Sequence, residues 1–263
     1  MNAEIHELVT DLKAAARIGR ADTLNLALDA VAQWDRLAAN QNMDASFIQQ
    51  AILPLGTALS SPLVKRSWLR ELADAPLAAL RAISAVALSN LYLTDEPSVS
   101  TDLQSLSKDE RADVRLSLVA ALRQAPGDHD ARLLRLAQAW HTASSPRTRA
   151  TALQLLANAT FEAALPVLIA AHTEDNREVR RALVDTLLEM AAAGNGQAII
   201  QLLSDWAKEP SPNVWIITKT LSGSWVMIHL EEARAILNTL SADRANAKRI
   251  ARVNQAWERH QQS

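Results

Sequence analysis

Cysteine is absent from the 263 residues, which excludes disulfides, thiolate nucleophiles and cysteine-based zinc sites. Only six glycines occur, too few and too scattered to build a phosphate-binding loop or a dinucleotide fingerprint, and there is no G-x-S-x-G. The six histidines (His6, His129, His141, His172, His229 and His260) show no H-E-x-x-H or other ligand spacing. No catalytic residues, metal ligands or cofactors are therefore expected. No apolar run approaches the ~20 residues that span a bilayer. The opening Met1-Asn2-Ala3-Glu4-Ile5-His6-Glu7 lacks the layout of a signal peptide, so a cytoplasmic protein without a membrane partner is expected. A net charge of −2 and a pI near 6.3 give no global attraction to nucleic acid or anionic lipid. Aromatics make up only 4%, and seven of the ten are Trp.

What is abundant is Ala and Leu, which favour helix over strand. Through them runs a basic residue at a nearly constant interval. Arg81, Arg115, Arg149 and Arg180 are separated by 34, 34 and 31 residues, and the count continues to Trp215 after 35 and Lys248 after 33. Each stands in one frame: a short polar or Pro-containing turn, an apolar residue, the basic residue, then an Ala/Leu-rich run. Periods of 20–50 residues are the signature of solenoids, whose units bury their apolar faces by stacking on their neighbours.

Six such repeats can be aligned: Asp74–Leu88, Asp109–Leu122, Ser144–Leu156, Glu174–Leu188, Glu209–Leu221 and Ala242–Val253. Asp, Glu or Ser in each turn suits a helix start, and Pro76, Pro146 and Pro212 fall near the first turn. In the second repeat Leu116, Val119, Ala120 and Arg123 trace a helical stripe. A further helical run precedes each later turn: Ser98–Ser107, Asp130–Thr142, Glu162–His172, Gln197–Lys208 and Leu230–Leu240. Gly127, Gly194 and Gly196 fall between pairs, where helix ends favour glycine. The repeat is thus an antiparallel helix pair. Ahead of them, Ala3–Ile18, Ala21–Ala39 and Asp44–Leu59 read as helices, followed by a short run Pro62–Ala73. They lack the Arg frame and carry seven acids against four bases through residue 60. The expectation is an all-α chain: a right-handed α-α superhelix of about six helix pairs over 61–263, continuous with a helical cap over 1–60. The last helix, from Arg244, closes the array with five bases and one acid.

The turn-then-Val-Arg frame, fullest at Asp113-Val114-Arg115 and Glu178-Val179-Arg180-Arg181, resembles HEAT repeats from about Pro62 to Gln261. The resemblance implies a binding scaffold. It also implies a structural ladder of basic residues (Arg81, Arg115, Arg149, Arg180, Lys248) paired to turn acids, with Asp109–Arg115 and Asp175–Arg180 or Arg181 as the pairs. Trp215 interrupts the ladder.

The ladder admits two readings. Its arginines line a groove for acidic ligands, or each is held by a turn carboxylate with its stem on a neighbouring helix, the favoured reading. The stretch Trp206–Trp225 is the most unusual, holding three Trp and two Pro. Trp215, Thr218, Lys219 and Ser222 recur there at helical spacing. With Trp225 and Arg149 they are the candidate partner-binding residues, since Trp is enriched at binding hot spots. The plainer alternative has these Trp side chains filling space in a distorted repeat. Length and all-helical repeats also resemble the HEAT-like DNA-alkylation-repair glycosylases. That resemblance implies Trp140, Trp215 and Trp225 as stacking groups, Asp185 as the acid, and Arg149 or Lys219 on phosphate. The charge balance disfavours nucleic acid. A lyase-like accessory protein of HEAT-like type is a third possibility with no residue pattern behind it. The favoured expectation is a monomeric, non-catalytic scaffold for a protein or peptide.

Overall fold

The computed structural model describes residues 3–34, 43–94, 96–124 and 130–262, and among these every regular element is helical. The end of the helix expected to reach Ala39, together with Gly127 and His129, lies outside the described residues. Contacts group the chain into two compact halves, Met1–Arg132 and Leu133–Ser263. No helix among the described residues is long and apolar enough to cross a membrane.

The amino-terminal half begins with α1 (Ala3–Ile18) and α2 (Ala21–Gln33). Ile5, Val9, Leu12, Ala15 and Ala16 of α1 are buried, three or four residues apart as one helix face demands. A third helix starts at Ala45, where Asp44 accepts a 2.7 Å hydrogen bond from the Phe47 amide. It widens into a π-turn over Ile48–Ile52 and resumes as α3 (Leu53–Ala58). Pro54 accounts for the widening, because it offers no N–H to the carbonyl four residues back. Then follow α4 (Arg66–Ala73), α5 (Ala78–Thr94), α6 (Glu96–Leu106) and α7 (Ala112–Gln124). α5 packs against α3, α4, α6 and α7, which explains why twelve of its residues are buried. Of the stripe its spacing suggests, α7 buries Val119 but leaves Leu116 exposed and Ala120 and Arg123 half-buried. Leu116 is 43% exposed, and the buried arc runs through Val114, Leu118, Ala121 and Leu122.

At the start of α7, Asp113 is buried. It accepts from Arg111 Nη2 at 2.7 Å, the Met43 amide at 3.2 Å and the Val114 amide at 3.1 Å. Burial alone pushes its carboxyl up, but Arg111 and the two amides together outweigh burial and hold it below the usual carboxylate range. A depressed native value means the charged group stabilises the fold above its unfolded value of about 3.9, and that stabilisation disappears as pH falls through the native value. Urea unfolding at about pH 5 and about pH 3 should therefore show a loss of stability that is smaller in Asp113→Asn. An unchanged pH slope in the variant would contradict this assignment.

The carboxy-terminal half contains most of α8 (Asp130–Trp140), then α9 (Pro146–Leu155), α10 (Phe161–Ala171), α11 (Arg177–Met190) and α12 (Gly196–Ala207). It ends with α13 (Val214–Leu221), α14 (Leu230–Leu240) and α15 (Ala247–Gln262). Helices two apart in sequence stack: α9 on α11, α11 on α13, α13 on α15, with α12 on α14 in the other row. That is the neighbour-on-neighbour packing of an α-solenoid. The helix starts are capped mainly by residues other than the turn acids. Ser145, Thr160, Asn176 and Asn213 accept from amides of the first turns of α9, α10, α11 and α13. The acids Glu174 and Glu209 are thereby left for other partners. Between α11 and α12, Gly194 has φ 102°, a conformation that glycine alone adopts readily.

Candidate functional site

Two ladder arginines share one geometry. Arg81 places Nε 2.7 Å from Asp109 Oδ2 and Nη2 3.3 Å from Oδ1, while Nη1 donates to the Ala75 and Pro76 carbonyls at 2.9 and 3.1 Å. Arg149 repeats the pattern. Its Nε lies 2.7 Å from Glu174 Oε1 and Nη2 3.1 Å from Oε2, and Nη1 donates to the Ala143 and Ser144 carbonyls at 2.9 and 3.1 Å. Each guanidinium thus binds the turn carbonyls behind it and the acid of the following turn. Those acids stand six residues before the next ladder position: Asp109 before Arg115, Glu174 before Arg180. Arg115 donates to the Asp109 backbone carbonyl.

The pairing therefore differs from the one the resemblance implied. The Asp109 carboxylate holds Arg81 of the preceding repeat instead of Arg115. Among the described residues Asp175 forms no ion pair with Arg180 or Arg181. An acid six residues upstream sits in the turn, beside the previous ladder helix, so pairing across repeats brings it closer than pairing within one. Lys248 is exposed.

Six residues before Arg149 stands Ala143, which offers Arg115 no carboxylate in that register; at Arg180 an acid does stand in register but is held elsewhere. Glu209 stands in the register of Asp109 and Glu174, six residues before Trp215, but its carboxylate is held by His172 Nε2 at 2.9 Å. His172 is fixed by stacking on the buried Trp206, with ring centroids 5.1 Å apart, and its Nδ1 faces the Ile169 carbonyl. One turn carbonyl in register is also shared: Asn213 Nδ2 donates to the Glu174 carbonyl at 3.5 Å, and to that of His172 at 3.3 Å. Without the in-register carboxylate, Arg180 lies over the Trp215 ring, 5.5 Å from its centroid. Its Nε is buried with no hydrogen-bond partner among the described residues.

Beside this junction opens a cleft of about 450 Å³ whose lining includes Arg180, Trp215, Arg249, His172, Asn213 and Asp175. That volume is in the range of sites that accept small ligands or a few side chains. The lining combines two guanidiniums, one exposed carboxylate and an indole face, with His172 already engaged by Glu209.

The other candidates are dispersed. Thr218 is buried and donates to the Val214 carbonyl at 2.7 Å; Ser222 donates to the Thr218 carbonyl at 2.7 Å. Both hydroxyls serve their own helix. Lys219 is exposed. Trp225 is half-buried, donates from Nε1 to the Thr220 carbonyl at 3.2 Å and leans on His229. Of the candidate contact residues, the cleft holds Trp215 alone. The residues implied by the glycosylase resemblance are equally scattered in role. Trp140 is 3% exposed in the core, and Arg149 is engaged by Glu174. Asp185 stands on the exposed side of α11. Burial of its carboxyl along the helix, then Glu189, raises it, while Arg181 opposes. Since the residue as a whole reaches solvent, we attach no acid role to that shift.

As site residues Arg249 and Asn213 escaped the sequence reading, which named His172 only among the histidines and Asp175 only as a ladder partner. The available signals were the residue beside ladder position Lys248, and a His and an Asn at the two helix junctions flanking the Trp break.

No curated protein and no solved structure matches the chain. Residues 133–220, which carry the Arg149 ladder pair and the altered junction at Arg180, match the family described as HEAT repeats, so that span is similar to HEAT repeats.

Proposed function

We propose that this chain is a non-catalytic scaffold that binds a protein or peptide at the junction of its fourth and fifth repeats. HEAT repeats generally mediate protein interaction. The observation that carries the proposal is the cleft beside Trp215, where a half-buried indole and two arginines converge at a ladder step that departs from the Arg–carboxylate pattern of Arg81 and Arg149. Aromatic and arginine side chains in a desolvated depression are what interaction hot spots are made of. The proposal includes a cytoplasmic, monomeric protein and residues 1–60 acting as a cap to the repeats.

A selection of random peptides on the immobilised full chain tests the reading. Saturable micromolar binders are expected, and Trp215→Ala should weaken them by about tenfold or more, the effect of losing an aromatic anchor. In parallel, methylated duplex DNA should show no base release. Failure to select any saturable peptide, or base release dependent on Asp185, would replace the scaffold with another function.

A further inference from the structure

We infer that the partner's anchoring group is a carboxylate, an Asp or Glu side chain of a bound protein segment, seated in the Trp215 cleft against Arg180 and Arg249. This inference rests on the scaffold reading and names the chemistry of its ligand. Its warrant is the fold's own repetition. Arg81 and Arg149 each meet a carboxylate through Nε at 2.7 Å. Arg180 occupies the same place in its repeat, yet His172 holds the register-equivalent Glu209, and Asn213 donates to the Glu174 carbonyl in the turn. Two ladder arginines therefore show a carboxylate in this place, and at this step the chain directs the in-register carboxylate elsewhere. Arg180 has no carboxylate partner among the described residues and lines the cleft, so an incoming carboxylate supplies the charge-assisted pair that Arg81 and Arg149 already have.

The surroundings favour a peptide acid over a free anion. Trp215 carries Arg180 on one ring face and is itself only half-buried, so apolar area remains for the atoms that flank the acid. Thr173 and Ser211 border the same cleft and carry hydroxyls suited to main-chain hydrogen bonds. Two arginines against the single carboxylate of Asp175 leave the site cationic, although the chain as a whole is acidic. Such local complementarity fixes partner register and speeds encounter.

The test uses two random peptide libraries on the full-length protein, one containing Asp and Glu and one without them. Trp215-dependent binders should come from the acid-containing library, with one acid common to them. Changing that acid to its amide should weaken binding about tenfold or more, equivalent to about 1.4 kcal/mol. Arg180→Gln should do the same. Arg249→Gln, on an exposed residue, gives an independent reading should Arg180→Gln disturb packing. Equally tight Trp215-dependent binders from the acid-free library, or indifference to both the amide and Arg249→Gln, would overturn the carboxylate while leaving the scaffold standing. Failure of both libraries would overturn both. Displacement by millimolar inorganic phosphate, with phosphoserine binding more tightly than the acid it replaces, would overturn the carboxylate in favour of phosphate.

Discussion

Replacing Arg81 with methionine is expected to destabilise the amino-terminal half by about 3–5 kcal/mol, the cost of removing one partner from a buried ion pair. The Arg81 and Asp109 side chains are 13% and 9% exposed, so the surviving carboxylate would remain desolvated without its counter-charge. The loss extends beyond charge. Nη1 also satisfies the Ala75 and Pro76 carbonyls. Asp109→Asn on its own should cost less, because the amide oxygen can still accept from the Arg111 amide as the carboxylate does at 2.8 Å. The double variant should recover much of the loss, since neither charge is then left buried alone. Urea unfolding of the four proteins gives the coupling energy. A coupling below about 0.5 kcal/mol would place this pair among ordinary surface ion pairs and deprive the ladder of its structural role.

The architecture was legible because it depends on spacing, and spacing survives substitution. The bounds expected for Ala3–Ile18 and Leu230–Leu240 are those observed, and each ladder residue of the first five repeats lies within the first turns of a helix. Faces were harder to assign. In an Ala-rich helix such as α7 many small residues fit either side, and the inward arc passes through Val114 and Leu118 while Leu116 faces out. Pairing was harder again. Asp109 lies near Arg115 in sequence, yet its carboxylate meets Arg81, because the stacking of helices brings the previous repeat closer than the chain's own next turn. At the site, Trp215 was visible as an exception in a series. The substitutions that make the exception useful, His172 on Glu209 and Asn213 on the Glu174 carbonyl, are separated by tens of residues and acquire meaning only when α11 and α13 are packed together.

Gly56→Ala tests the closest approach in the fold, and its effect should rival the loss of Arg81. A Cβ built at Gly56 falls 2.4 Å from Val86 Cβ, 2.6 Å from Val86 Cγ1 and 2.7 Å from the Ile83 carbonyl oxygen. Val86 and Ile83 are fully buried in α5, so α3 and α5 would have to separate, opening space along the rest of their interface. Overpacking a well-filled core costs about 1–3 kcal/mol and sometimes more, and contact with a backbone atom, which cannot change rotamer, places this case at about 3 kcal/mol or above. The usual helix preference for Ala over Gly, about 1 kcal/mol, only partly offsets that. Relief by truncating the neighbour should fail. Val86→Ala removes Cγ1 but keeps the Cβ that makes the shortest contact, and the Ile83 carbonyl stays in place. Gly194→Ala is the natural comparison: it meets nothing within 4 Å, so its cost comes from φ alone and should stay near about 1 kcal/mol. If Gly56→Ala unfolds in urea at the wild-type midpoint, or if Val86→Ala rescues it, then α3 and α5 do not approach as closely as described, and the stacking that begins the ladder loses its first step.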